Sequence, residues 1–253
     1  MKKRITLEIC TASAEDCVAA EAGGADRVEL NSALMLGGLT PSLGMVREAL
    51  SLVKLPIIVM IRPRPGGFCY SEREFSVMQR DAELSLADDT AGIAFGILTN
   101  SGSVDLKRCR QMVKLAAGRQ AVFHRAFDVT PKPLLALKQL ADLGVTRIMT
   151  SGQEASAYNG ASNIASYFRQ ASGRIEILPA GGINRFTVAD IVSRTGCDQV
   201  HASLTGTRHD RSVAARPQVF FGGMVRPPEA EFSATDADGV SGLRHCISQV
   251  SRH

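Results

Sequence analysis

Three stretches of this chain repeat one short pattern. Gly24-Ala25-Asp26-Arg27-Val28-Glu29-Leu30 resembles Gly144-Val145-Thr146-Arg147-Ile148-Met149-Thr150, and both resemble Gly196-Cys197-Asp198-Gln199-Val200-His201-Ala202. Each is a glycine that ends a helix, a two-residue turn, a polar residue and then a strand. One supersecondary unit recurring along a chain points to a repeated β/α architecture. Strands are expected at about 5–10, 27–31, 56–62, 92–98, 120–127, 147–151, 175–180 and 199–204. The helices between them have readable starts. Ser13 can cap the first, Thr40-Pro41 opens the second, and Ser71 with Glu74 forms a capping box for the third. Thr130-Pro131 opens the fifth, Asn184 can cap the seventh, and the last runs from about Thr235 to Ser251.

Regular alternation makes the strands parallel, and about eight such units close a barrel. The 253 residues fit one TIM-like (β/α)8 barrel as a single α/β domain, for which about 250 residues is typical. An open doubly wound sheet is the other arrangement. It calls for a glycine-rich first turn, and the first turn here is Cys10-Thr11-Ala12-Ser13. Thr207 to Ser233 breaks the rhythm with a long loop at about 207–233 before the last helix, containing Phe220-Phe221-Gly222-Gly223 and Pro227-Pro228. Loops this long are usually functional or disordered. The Phe pair either packs on its own barrel or meets another subunit.

In a barrel, alternate residues point inward. The apolar residues of strand one (Ile5, Leu7, Ile9) face the helices, which turns Thr6, Glu8 and Cys10 inward. The same alternation turns Arg27, Glu29 and Asn31 inward in strand two, and Ile58, Met60 and Arg62 in strand three. Gln120 to Asp128 reads as one strand with Val122, His124, Ala126 and Asp128 on its inner face, and Arg125 on the opposite one. In strand eight Gln199, His201 and Ser203 face in. Glu8, Glu29, Arg62, His124, Asp128 and His201 are therefore the candidate catalytic cluster, with Cys10 at the rim. Unpaired buried charges cost several kcal/mol each, so this set is expected to pair internally. It is either an acid–base or metal site at the C-terminal face, or a satisfied polar plug. Arg64, Arg125, Thr150, Ser151, Gly181 and Gly182 are candidate substrate-binding residues. The Gly181-Gly182 turn after strand seven either admits a phosphate or only makes the turn.

Several classes are disfavoured. The basic residues that give a net charge of +4 are scattered, which argues against nucleic acid as a partner. No apolar run is long enough to span a bilayer, so no membrane partner is expected. Six cysteines without a C-x-x-C pair read as reduced thiols of a cytoplasmic protein. No lysine ends an inward strand face, which disfavours Schiff-base chemistry. There is no H-E-x-x-H or G-x-S-x-G pattern.

Leu7-Glu8-Ile9-Cys10, Gly23 to Leu30, Gly37-Gly38-Leu39-Thr40-Pro41-Ser42, Val59 to Arg64, Phe123 to Asp128 and Thr150-Ser151-Gly152 resemble the CutC family of copper homeostasis proteins. The resemblance covers Glu8 to about Arg208. It implies a TIM-like barrel, a cytoplasmic location, a homo-oligomer with a dimer favoured, and copper as the metal. Cys10 stands where the family closes strand one with a cysteine. Where some relatives end strand two with another, this chain has Asn31. Two functions follow: a copper homeostasis protein that binds the ion, or a barrel enzyme acting by acid–base chemistry on a small metabolite, phosphorylated or not.

Overall fold

In the computed structural model, residues 4–222 and 229–250 are described. Eight parallel strands alternate with helices: β1 (Thr6–Thr11), α1 (Ala14–Ala22), β2 (Arg27–Leu30), α2 (Leu43–Leu52), β3 (Ile57–Met60), α3 (Glu72–Ala87), β4 (Gly92–Phe95), α4 (Leu106–Ala116), β5 (Gln120–Phe123), α5 (Pro133–Leu143), β6 (Arg147–Thr150), α6 (Ala161–Ala171), β7 (Glu176–Pro179), α7 (Val188–Thr195) and β8 (Gln199–Ala202). Each strand pairs with its sequence neighbour, and β1 also pairs with β8. A parallel bridge between Ala180 and His201 joins β7 to β8 and closes the (β/α)8 barrel. The expected strands are all present, most of them shorter at their C-terminal ends.

Apolar alternation builds the layer between barrel and helices. Leu7, Ile9, Val28, Leu30, Val59, Ile93, Phe123, Ile148 and Val200 are all buried there against the helices. Inside the barrel the alternate residues form two small apolar groups. Ile58, Met60, Ala94 and Val122 make one, and Met149, Leu178 and Ala180 make the other. Below them the interior is charged. Arg27 Nε donates to Glu8 Oε2, Arg27 also donates to Gln199, and Arg147 donates to Glu176 and Gln120. Arg147 Nη1 lies 3.9 Å from Glu8 Oε2. Arg27, Arg147 and Gln199 are the polar residues of the three repeated units, so the repeat places the floor of the barrel.

Local capping explains where several helix starts differ from expectation. Ser13 caps α1 and the Ser71–Glu74 box caps α3, as the sequence indicates. The second helix begins two residues later, with Ser42 as its cap, because the Thr40 hydroxyl instead accepts from the Arg62 amide. α5 begins at Pro133, since Thr130 closes the preceding turn by donating to Phe127. α7 starts after Thr187, while the Asn184 side chain accepts from the Phe186 amide one turn earlier.

The 207–233 segment is not loop throughout. Its ends belong to an antiparallel ribbon of β9 (Thr205–His209) and β10 (Glu231–Thr235), followed by α8 (Ala237–Gln249). Asp16 fixes the ribbon to the barrel by accepting from the Thr235 amide. Phe220 and Phe221 are exposed. Gly223, Pro227 and Pro228 lie outside the described residues. Among the described residues no helix is long and apolar enough to cross a membrane.

The charged floor yields a first prediction. Arg147→Ala removes a guanidinium that is 1% exposed and leaves buried Glu8 with one cation fewer. Removing one partner from a buried ionic cluster costs about 3–5 kcal/mol, so chemical denaturation should show a loss of that size. A loss within the surface range of about 0–1 kcal/mol would contradict the role assigned to this layer.

Candidate functional site

Glu8 joins the floor to the mouth. Its Oε2 takes Arg27, and its Oε1 accepts from His201 Nδ1 at 2.8 Å. Register makes this possible, because Glu8 lies opposite Arg27 on one side and His201 on the other. Burial pushes the Glu8 carboxyl up, but Arg27, His201 and Arg147 outweigh it and hold the group well below the usual carboxylate range. Burial likewise opposes the charge on His201. Its hydrogen bonds with Cys10 and Glu8, and the charges of Glu29 and Glu8, nevertheless lift it well above the ordinary histidine value.

With Nδ1–H given to Glu8, His201 turns Nε2 toward Glu29 Oε2, 3.9 Å away. Cys10 Sγ completes a triad, and the donor atoms of Cys10, Glu29 and His201 all lie within 4.8 Å of one another. Cys10 and Glu29 face each other across β1 and β2. Burial pushes both the Cys10 thiol and the Glu29 carboxyl up. Asn31 Nδ2 donates to Glu29 Oε2 at 3.0 Å and to Cys10 Sγ at 3.4 Å. Glu29 Oε1 is buried without a partner.

The other wall of the same cavity holds His124 and Arg62. β5 ends at Phe123, and a 3-10 turn follows over Arg125–Val129. The alternation expected through Asp128 therefore stops, because His124 Nδ1 accepts from the Ala126 amide and the chain bends. Gly96 makes room for the ring: a Cβ there would lie 2.4 Å from His124 Cε1. Burial, helped by the charge of Arg62, pushes His124 down to about 3. Arg62 does not pair with a carboxylate as expected. Its guanidinium donates to the carbonyls of Leu36, Gly37, Gly38 and Gly66, and its Cζ sits 5.3 Å from the Phe68 ring centroid. The loop after β2 supplies three of these acceptors and the loop after β3 the fourth, so the buried cation is satisfied without the acids.

The cavity has a volume of about 150 Å³ and is lined by Cys10, Glu29, Asn31, Arg62, Phe68, His124, Arg125 and His201, among others. The remaining candidates lie elsewhere. Asp128 accepts from Thr150, from the amides of Ser151 and Gln153, and from Arg125, so it fastens the end of β6 and stands apart from the triad. Ser151 shares this latch, donating to Asp128 and accepting from Arg125. Arg125 is turned by the 3-10 bend rather than lying on an outer strand face. Arg64 diverges from Arg62, pairing with Glu74 and stacking on Tyr70. Gly181 and Gly182 both have positive φ, and the Arg125 guanidinium lies against Gly181. That cation already holds Asp128. Arg147 and Phe68 were not among the expected site residues. The repeat carried the signal for Arg147, which aligns with inward Arg27; no comparable pattern marks Phe68.

Comparison with known proteins fits this geometry. The CutC family model matches residues 5–206, and the chain belongs to that family. A CutC family protein of Treponema denticola is 46% identical over 239 residues, covering 94% of this chain and 97% of the relative. A human copper homeostasis protein cutC homolog is 38% identical over 244 residues, covering 96% and 89%. The crystal structure of CutC from Streptococcus agalactiae superposes with a TM-score of 0.75 at 32% identity, over 78% of this chain and 97% of that one. A thiamine phosphate pyrophosphorylase from Pyrococcus furiosus, 12% identical with a TM-score of 0.59 over 99% and 98% of the chains, shares the fold.

The neutral His124 has a measurable consequence. The unfolded chain protonates this histidine near 6.5, but the fold resists until about 3. Over that window the unfolded state binds more protons, so the histidine costs the native state increasing stability as pH falls. His124→Phe should therefore gain stability relative to the wild type on acidification from 6.5, read by urea unfolding at each pH. A pH-independent difference between the two proteins would contradict the buried neutral ring.

Proposed function

For this member of the CutC family we propose a role in copper homeostasis, with a copper ion taken at the barrel mouth by Cys10, His201 and Glu29. The convergence of three donor atoms within 4.8 Å carries the reading. A thiolate and an imidazole suit copper, and the carboxylate adds a harder third ligand. The donor chemistry fits in a second respect. Glu8 accepts Nδ1–H of His201, the outer-shell bond that commonly orients a ligating histidine and frees Nε2. The unpartnered Glu29 Oε1 supplies a further oxygen. Asn31, where some relatives would offer a second thiol, instead steadies Cys10 and Glu29 by donating to both.

In this reading Cys10 gives up its proton and His201 loses the one on Nε2 when the ion enters. Copper affinity should then rise with pH. The protein would act in the cytoplasm as a homodimer, and the exposed Phe220, Phe221 and Phe232 offer an apolar contact for it. Gel filtration at micromolar concentration showing a strict monomer would remove the dimer.

Anaerobic titration of reduced protein with copper(I), in competition with a chromophoric chelator, tests the site. Cys10→Ala should weaken binding by at least roughly tenfold, and Glu8→Gln by about 10–100-fold through loss of the orienting bond. Unchanged affinity in Cys10→Ala would overturn the ligand assignment.

A further inference from the structure

The ribbon of β9 and β10 leaves one strand edge uncovered. All five residues of β9 are exposed, and β9 pairs with β10 alone. Two bonds show which way its backbone groups point. The Asp210 amide donates to Ala230, and the Asp236 amide donates to Leu204. With Glu231 opposite His209 and Thr235 opposite Thr205, these bonds belong to the hydrogen-bonded pairs of an antiparallel ladder, which alternate along the strand. Gly206 and Arg208 therefore turn their N–H and C=O groups to β10. Thr205, Thr207 and His209 turn theirs outward, where among the described residues no backbone group meets them. β10 keeps the same parity, since the outward amide of Thr235 reaches Asp16 on the barrel. One edge of the ribbon is anchored and the other is open.

An open strand edge is a template for another strand, and two strands by themselves make a marginal sheet. Gly206 adds a second observation. Its φ is not positive, and a Cβ there would meet Asp236 Cβ at an ordinary 3.8 Å. Nothing in its own copy asks for a missing side chain, whereas glycine inside a strand often marks the close approach of another chain. On the same face of the ribbon Gly206 and Ala234 are small, while Arg208 and Phe232 are large.

We infer that two copies of this chain join edge to edge through β9, antiparallel about a two-fold axis at Thr207, so that their ribbons form one continuous sheet. This seam rests on the homodimer proposed above and says where it closes. In this register the outward groups of Thr205 meet those of the partner's His209, and Thr207 meets the partner's Thr207. Every open N–H and C=O of β9 then has a match. On one face the facing threonines make a favoured cross-strand pair, flanked by Ser233. On the other face Arg208 lies beside the partner's Gly206, whose missing side chain leaves room for the arginine stem. An axis at Arg208 would set like charges directly opposite, which is unfavourable. An axis at Gly206 would carry His209 past the end of the partner strand.

Sedimentation of the full chain at micromolar concentration, together with amide hydrogen exchange, tests the seam. The wild type should sediment as a dimer in which the Thr205, Thr207 and His209 amides exchange slowly, and dilution to monomer should remove that protection. Thr207→Pro deletes the central outward N–H and spares the bonds to β10. It should raise the dimer dissociation constant by at least about tenfold with the circular dichroism unchanged. Gly206→Arg sets like charges opposite each other and should weaken the dimer severalfold, whereas Gly206→Glu, facing the partner's Arg208, should tighten it. A monomeric wild type would remove the homodimer and its seam together. A dimer unweakened by Thr207→Pro, indifferent to the sign of the charge at position 206, or exchanging these amides freely would overturn the seam while the homodimer stands. The charge pair decides the matter even if the proline variant fails to fold.

Discussion

A single buried carboxylate, Glu8, ties this barrel together from floor to mouth. One oxygen is held from below by Arg27, and the other holds His201 above. An ionised carboxylate 1% exposed to solvent is tolerable only because cations reach it from two neighbouring strands. Those cations are available only in the observed register, with Glu8 level with Arg27 and His201. A slip of one residue in β1 would place Glu8 among the helix-packing side chains and Leu7 or Ile9 inside. Strand register, charge balance in the interior and orientation of His201 are thus one constraint seen at three levels.

The division of labour inside the barrel follows from the same arrangement. Polar pairs fill the floor, apolar side chains from β3 to β7 fill part of the middle, and ionisable groups gather where the strands end. That end is where barrels of this kind keep their chemistry. Two histidines share the mouth with opposite fates. His201 sits against carboxylates and is driven toward its charged form, whereas His124 sits beside Arg62 and is kept neutral. One cavity is therefore lined by a histidine driven toward its charge and by a neutral one.

Much of this was legible in the chain itself. The three Gly-initiated repeats and the strict apolar alternation of β1, β2 and β3 disclosed the barrel and turned Glu8, Cys10, Glu29 and His201 inward correctly. Alternation fails where the backbone stops being extended. After Phe123 a side-chain-to-backbone bond of His124 bends the chain, so Arg125 and Asp128 leave the pattern. Charge balance was also misjudged at Arg62, because backbone carbonyls of the loops after β2 and β3 satisfy it and no side-chain pattern reveals them. Thr40 and Thr130 looked like helix caps, but each is engaged by tertiary or turn hydrogen bonds that local sequence does not encode.

In the proposed site His201, steered by Glu8, meets Cys10 and Glu29 around one ion. X-ray absorption at the copper edge of the loaded protein addresses that directly. A first shell of one sulfur with nitrogen and oxygen neighbours, losing the sulfur in Cys10→Ala, is the predicted spectrum. A shell of two or more sulfurs, or of none, would contradict it.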